Sequence, residues 1–138
     1  RDISFIMRRT TVWLILGAVL LVASQLVSCA SAPVVIPDGI TPMELVQRAQ
    51  DATDKDQYDV AIQYYQAILD RYPDDIEMVC TAEYEIAFIK YKQHKYTEAK
   101  AGFTALLERY KQTDAEFLPA QYKILSEKVL GKMELEKK

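Results

Sequence analysis

The chain has 138 residues, half of them hydrophobic, with 17 basic and 20 acidic side chains and a net charge of −3. That length supports one domain with a modest core, not two. An acidic balance repels phosphate backbones and argues against nucleic acid as a partner.

Arg8 and Arg9 precede the uncharged run TTVWLILGAVLLVASQLVSC, a basic n-region followed by an apolar h-region. The uninterrupted apolar stretch from Val12 to Ala23 is 12 residues, whereas a membrane-spanning helix needs roughly 20. Residues 1–28 are therefore predicted to be an export signal, with Met7 as an alternative start. The tetrapeptide Leu26-Val27-Ser28-Cys29 resembles the lipobox of bacterial lipoproteins. The resemblance implies cleavage before Cys29, which would carry the acyl chains; several chains together anchor a protein where one alone does not. The other reading is a plain secretory signal, with Cys29 paired to Cys80. Removal of residues 1–28 takes away three arginines and one aspartate, leaving 14 basic and 19 acidic residues and a net charge of −5. Cys80 lies inside a helical pattern and is expected to be a small core residue, with an intermolecular disulfide as the alternative.

Residues 29–40 are predicted to be the lipidated cysteine and a flexible tether. Ala30 to Ile40, with two prolines and one glycine, could span about 35 Å. Thr41-Pro42-Met43-Glu44 is a helix start, with Thr as N-cap, Pro at the first helical position and Glu three residues after the cap. Leu45, Val46, Ala49 and Ala52 give that helix an apolar side, and the polar run Thr53–Gln57 supplies a turn. Tyr58, Ala61, Ile62, Tyr65, Ile68, Leu69 and Tyr72 hold a second helical stripe that stops at Pro73. Asp74 and Asp75 then offer a cap for a third helix. One of its faces carries Val79, Ala82, Ile86 and Ile89, and another carries Tyr84, Ala87, Phe88 and Tyr91, so it must pack on two sides.

After the turn KQHK comes a fourth helix with Tyr96, Ala99, Phe103, Leu106, Leu107 and Tyr110. Its stretch KYTEAKAGFTALLERY matches QYDVAIQYYQAILDRY at an offset of 38 residues. Gly102 inside it costs about 1 kcal/mol relative to Ala, a sign that another backbone passes close by. Thr113 to Glu116 repeats the Thr-x-x-Glu cap, and a last helix is predicted over 114–136. At the same offset, Phe117, Ala120, Tyr122 and Ile124 fall on Val79, Ala82, Tyr84 and Ile86. A hairpin of this kind has more apolar surface than it can bury alone, and a stacked second copy covers the remainder.

Ala61-x3-Tyr65, Ala99-x3-Phe103, Ile86-Ala87 and the closing Pro73 resemble the tetratricopeptide repeat, a helix-turn-helix unit of about 34 residues. The chain departs from that pattern at Ala52 and Lys90, where the family has Tyr, and at Lys111, where a second proline would fall. The additional four residues are expected to lengthen the start of the helix containing Cys80 by one turn. The resemblance implies an all-α fold: two helical hairpins (41–74 and 75–112) and a capping helix, a right-handed α-solenoid fragment within a domain over 41–138. With the lipid anchor, it extends to BamD-like outer-membrane assembly lipoproteins.

No catalytic constellation stands out. His94 is a lone histidine in a turn, Cys80 and His94 are too few for zinc, and the four glycines are scattered. No enzyme activity, cofactor or metal is therefore expected. Repeats of this family bind partners on the surface made by the first helix of each unit. There Tyr84, Phe88 and Tyr91 share one side, with Gln50 and Lys92 beside them, as the candidate strip for a peptide or envelope protein. The other outcome is that the last helix folds onto the strip and makes it core. The function expected is a lipid-anchored cell-envelope adaptor, in outer-membrane or cell-wall assembly. The alternative is a carrier of a small apolar ligand, or a transporter accessory protein, using an aromatic groove. Two and a half repeats also suggest a homo-oligomer. Ala30 after Cys29 resembles the sorting signal for the periplasmic face of the outer membrane.

Overall fold

The computed structural model describes residues 32–112 and 115–136. The signal-like segment and Cys29 lie outside the described residues. The described residues form five α-helices and one short 3-10 turn, with no strand among them, so the fold is all-α as expected. The helices are α1 (Pro42–Asp54), α2 (Tyr58–Arg71), α3 (Ile76–Lys92), α4 (Tyr96–Arg109) and α5 (Ala120–Leu135), with the 3-10 turn at Ala115–Phe117.

Helix α1 starts where the capping chemistry puts it. The Thr41 hydroxyl accepts from the Glu44 N–H at 3.2 Å, and the Glu44 carboxylate accepts from the Thr41 N–H at 3.0 Å. The bond from the Thr41 N–H, with a second from the Thr41 hydroxyl at 2.9 Å, holds the Glu44 carboxyl below the usual carboxylate range. Asp75 caps α3 by accepting from the Met78 N–H at 3.2 Å. Helices α2 and α4 are each 14 residues long, whereas α3 has 17 residues against the 13 of α1. The additional turn therefore sits in the helix that carries Cys80.

The two hairpin turns are chemically the same without glycine. Asp56 and His94, 38 positions apart, both adopt positive φ, 56° and 60°. The N–H after each reaches back to close the helix, Gln57 to the Ala52 carbonyl and Lys95 to the Lys90 carbonyl, both at 2.9 Å. This is the Schellman pattern that ends many helices. In each turn the left-handed residue also bonds the tyrosine two residues on, Asp56 to Tyr58 and His94 to Tyr96, both at 2.8 Å. With only three residues between the helices, each pair must fold back antiparallel.

Burial follows the apolar stripes. Leu45, Val46, Ala49 and Ala52 of α1 meet Ala61, Tyr65 and Ile68 of α2 in one core. Ala99, Phe103 and Leu106 of α4 meet Cys80, Tyr84 and Ala87 of α3 in a second. Helix α3 joins them, sending Ala82 and Ile89 into the first. Tyr65 and Phe103 are 1% and 0% exposed, each at the centre of its own hairpin. Gly102 is where α3 and α4 touch, since a Cβ there would lie 2.8 Å from the Ala87 Cβ. Close helix contact thus accounts for a residue that costs helix propensity.

Two expectations need correction at the ends of the stack. The segment before Thr41 is extended, but it is not a free tether. The Val34 N–H donates to Gln63 Oε1 at 2.8 Å, and Arg71 donates to the carbonyls of Pro37 at 2.9 Å and Ile36 at 3.2 Å. The Tyr72 hydroxyl donates to the Ile40 carbonyl, and Ile40 is buried in the first core. Residues 32–40 form a strap along α2. At the other end, the helix expected from 114 starts at Ala120. Pro119 disfavours helical geometry in the residue before it and has no N–H to donate, and Leu118 is a bend.

Helix α5 packs in a register of 40, not 38. Met78, Ala82, Ile86 and Ile89 of α3 face the first core. Leu118, Tyr122 and Val129, together with buried Ser126, take the corresponding places on the second. The two additional residues fall between Tyr110 and Pro119, whose positions are tied by the Tyr110 hydroxyl donating to the Pro119 carbonyl at 2.6 Å.

Candidate functional site

The strip formed by Tyr84, Phe88 and Tyr91 exists as a stack of rings. Tyr84 and Phe88 lie 5.8 Å apart at 11°, and Phe88 and Tyr91 lie 6.0 Å apart at 29°. It is not open. Tyr122 of α5 sits 5.5 Å from Tyr84 and bonds Thr81 at 2.7 Å, hydroxyl to hydroxyl. At the far end the Tyr91 hydroxyl donates to Glu136 at 3.2 Å, and the Lys132 ammonium lies 5.8 Å over the Tyr91 ring. Tyr84 is 7% exposed, and burial raises its phenol pKa. The strip is therefore the surface that binds α5, the second of the two outcomes open in the sequence.

The accessory residues do not join it. Gln50 is exposed on α1. Lys92 is turned toward the first hairpin, its ammonium 5.5 Å over the Tyr58 ring. Cys80 is a free thiol, fully buried, and burial pushes its pKa up, which disfavours the reactive thiolate. Beside it Tyr110 is pushed up to about 12, chiefly by burial. No group of three or more His, Cys, Asp or Glu able to hold a metal ion occurs among the described residues.

The surface carries two other features. A groove of about 310 Å³ runs where α2 and α4 flank α3, floored by Leu69, Ile86, Ala87, Gly102 and Ala105. Ion pairs border it: Lys90–Glu98 at 2.9 Å, and Glu83 held in bidentate fashion by Arg109 at 2.6 and 2.7 Å. The Lys90 bond lowers the Glu98 pKa, and the Glu83 bond raises that of Arg109. The second feature lies near the C-terminal end, where Phe117, Ile124 and Leu135 are 74%, 63% and 73% exposed. Gly131, about two helical turns from Ile124, has nothing within 4 Å of where its Cβ would be.

Sequence reasoning missed both features. The groove is built from small residues of three helices. The apolar end appears only once the 40-residue register is known, since the 38-residue alignment puts Phe117, Ala120 and Ile124 on positions filled by Val79, Ala82 and Ile86.

No helix among the described residues is long and apolar enough to cross a membrane. Over 99 residues the chain is 35% identical to an uncharacterized protein of Treponema pallidum (strain Nichols), covering 70% of this chain and 40% of that protein. It thus spans about 40% of the length of the curated relative it matches. No family model matches the chain. No solved structure matches it either.

Proposed function

We propose that this protein is a lipid-anchored cell-envelope adaptor, a non-catalytic repeat domain of the tetratricopeptide kind that recruits other proteins at the membrane carrying Cys29. The observation that carries the reading is the exposed apolar end of the stack at Phe117, Ile124 and Leu135. Large apolar side chains left exposed near one end of the chain support a docking site there. It replaces the buried Tyr84 strip as the docking surface. The lipobox-like Leu26-Val27-Ser28-Cys29 supports the anchor, and Ala30 supports the outer membrane as its place.

A photocrosslinking residue in place of Ile124, in intact cells, is expected to trap a discrete partner or a second copy. The same probe at exposed Gln47 on α1 is the control, and equal trapping at both positions would contradict the reading. Cys29→Ser is expected to abolish palmitate incorporation and release the protein from membranes. A second reading, carriage of a small apolar ligand, is favoured by the groove over Leu69, Ile86 and Ala87. That groove is aliphatic where an aromatic one was expected. Co-purification of a lipid-soluble molecule that Ala105→Phe, at the exposed edge of the groove, eliminates would favour the carrier.

A further inference from the structure

The strap is held largely by side chains of α2 and Tyr72 that bond its backbone. Its side chains contribute mainly Ile40, buried, and Ile36, half-buried, both against the first core. The rest of the grip is on backbone. Gln63 reads both polarities of the extended chain, accepting from the Val34 N–H at 2.8 Å and donating to the Ala32 carbonyl at 3.4 Å. Arg71 takes two successive carbonyls, Ile36 and Pro37, with two different nitrogens. Tyr72 takes a third at Ile40.

The second hairpin explains why Arg71 is free for this. Its counterpart 38 residues on, Arg109, is held by Glu83. The position in hairpin one that corresponds to Glu83 is Leu45, which has no charge to offer. The counterpart of Gln63 is Ala101. The first hairpin thus carries side chains free to hold an extended chain, and the second does not carry them at the corresponding positions.

The bonds from Gln63 to Ala32 and from Arg71 to Ile36 and Pro37 are solvent-exposed. Water replaces such bonds at small net cost, so a segment tied down by them opens locally without unfolding the core. We propose that the flank of α2 made by Gln63 and Arg71 is a binding site for an extended peptide, occupied in cis by residues 32–37. Its ligand class is a segment with a free N–H facing Gln63, two successive carbonyls facing Arg71, and an aliphatic side chain at the place of Ile36. A segment of that chemistry on a partner competes with the strap, which holds the site through its high effective concentration.

The test uses a labelled peptide with the sequence of residues 32–37 and the full chain in mild detergent, read by fluorescence anisotropy. Val34→Pro with Ile36→Ser weakens the strap while leaving buried Ile40 in place. The peptide is expected to bind that chain at least about tenfold more tightly than wild type, because the cis competitor is weakened. Adding Arg71→Ala and Gln63→Ala is expected to abolish the binding with the helical circular dichroism unchanged. Single Val34→Pro, which removes one hydrogen bond, is expected to show the same order with a smaller difference, and it stands in should the double substitution unfold. Equal peptide affinity for the wild-type and weakened chains, or binding that survives loss of Arg71 and Gln63, would overturn the proposal.

Discussion

The two hairpins are alike inside and different on their flanks. Both close with a left-handed polar residue, Asp56 or His94, bonded to a tyrosine two positions later. Both bury one large aromatic ring, Tyr65 or Phe103. Both end in Arg-Tyr, yet Arg71 and Tyr72 hold the strap, while Arg109 holds Glu83 and Tyr110 holds the start of α5. Repetition therefore supplies the core, and what distinguishes each copy is the chain it grips from outside. Tyr72 and Tyr110 each fix the entry to a first-type helix, α1 and α5, with one bond to a carbonyl.

The likeness of the interiors breaks most easily at the rings. Tyr65→Ala and Phe103→Ala are each expected to cost about 3–5 kcal/mol in urea denaturation, by lost burial and the cavity left behind. A large difference between them would show that the hairpins are not equivalent. The flanks should separate next. Glu83→Ala breaks a partly buried, bidentate charged pair and is expected to cost about 1.5–3 kcal/mol. Arg71→Ala breaks only exposed bonds and is expected to cost about 1 kcal/mol or less. Asp56→Gly and His94→Gly relieve a left-handed residue but lose its bond to tyrosine, so each is expected to stabilise by about 0.5 kcal/mol.

The smallest effect concerns pH. Burial raises the Glu85 pKa above its ordinary value of 4.5, with Lys92 opposing. The folded chain then holds that proton more tightly than the unfolded chain. This contribution to stability is fully present below the unfolded pKa and is lost as pH rises through the folded one. Glu85→Gln is expected to raise the melting temperature at pH 7 and leave it nearly unchanged at pH 4.

Features set by neighbours in sequence were legible in the residues. The caps at Thr41 and Asp75, the stripes of α1 to α4, the 38-residue repeat and the close contact at Gly102 all depend on local chemistry or periodicity. Features set by distant residues were not. Nothing in residues 32–40 announces that Gln63 and Arg71, about thirty positions away, will hold their backbone. The candidate strip was legible as an aromatic cluster, but its occupant depends on Pro119 and on a two-residue slip that gives Tyr122 the place corresponding to Ala82, where its ring packs against Tyr84. Gln50 and Lys92 were placed by spacing on their helices, and spacing does not say which way a long side chain turns.

Hydrogen exchange on the native chain tests most directly the claim that the strap is a separable occupant of a preformed flank. The Val34 amide is expected to exchange through a local opening, orders of magnitude faster than the Ala61 and Ala99 amides that close the first turns of α2 and α4, and independently of urea at low concentration. Protection at Val34 as strong as at Ala61, with the same urea dependence, would mean that strap and hairpin open together and would contradict the account.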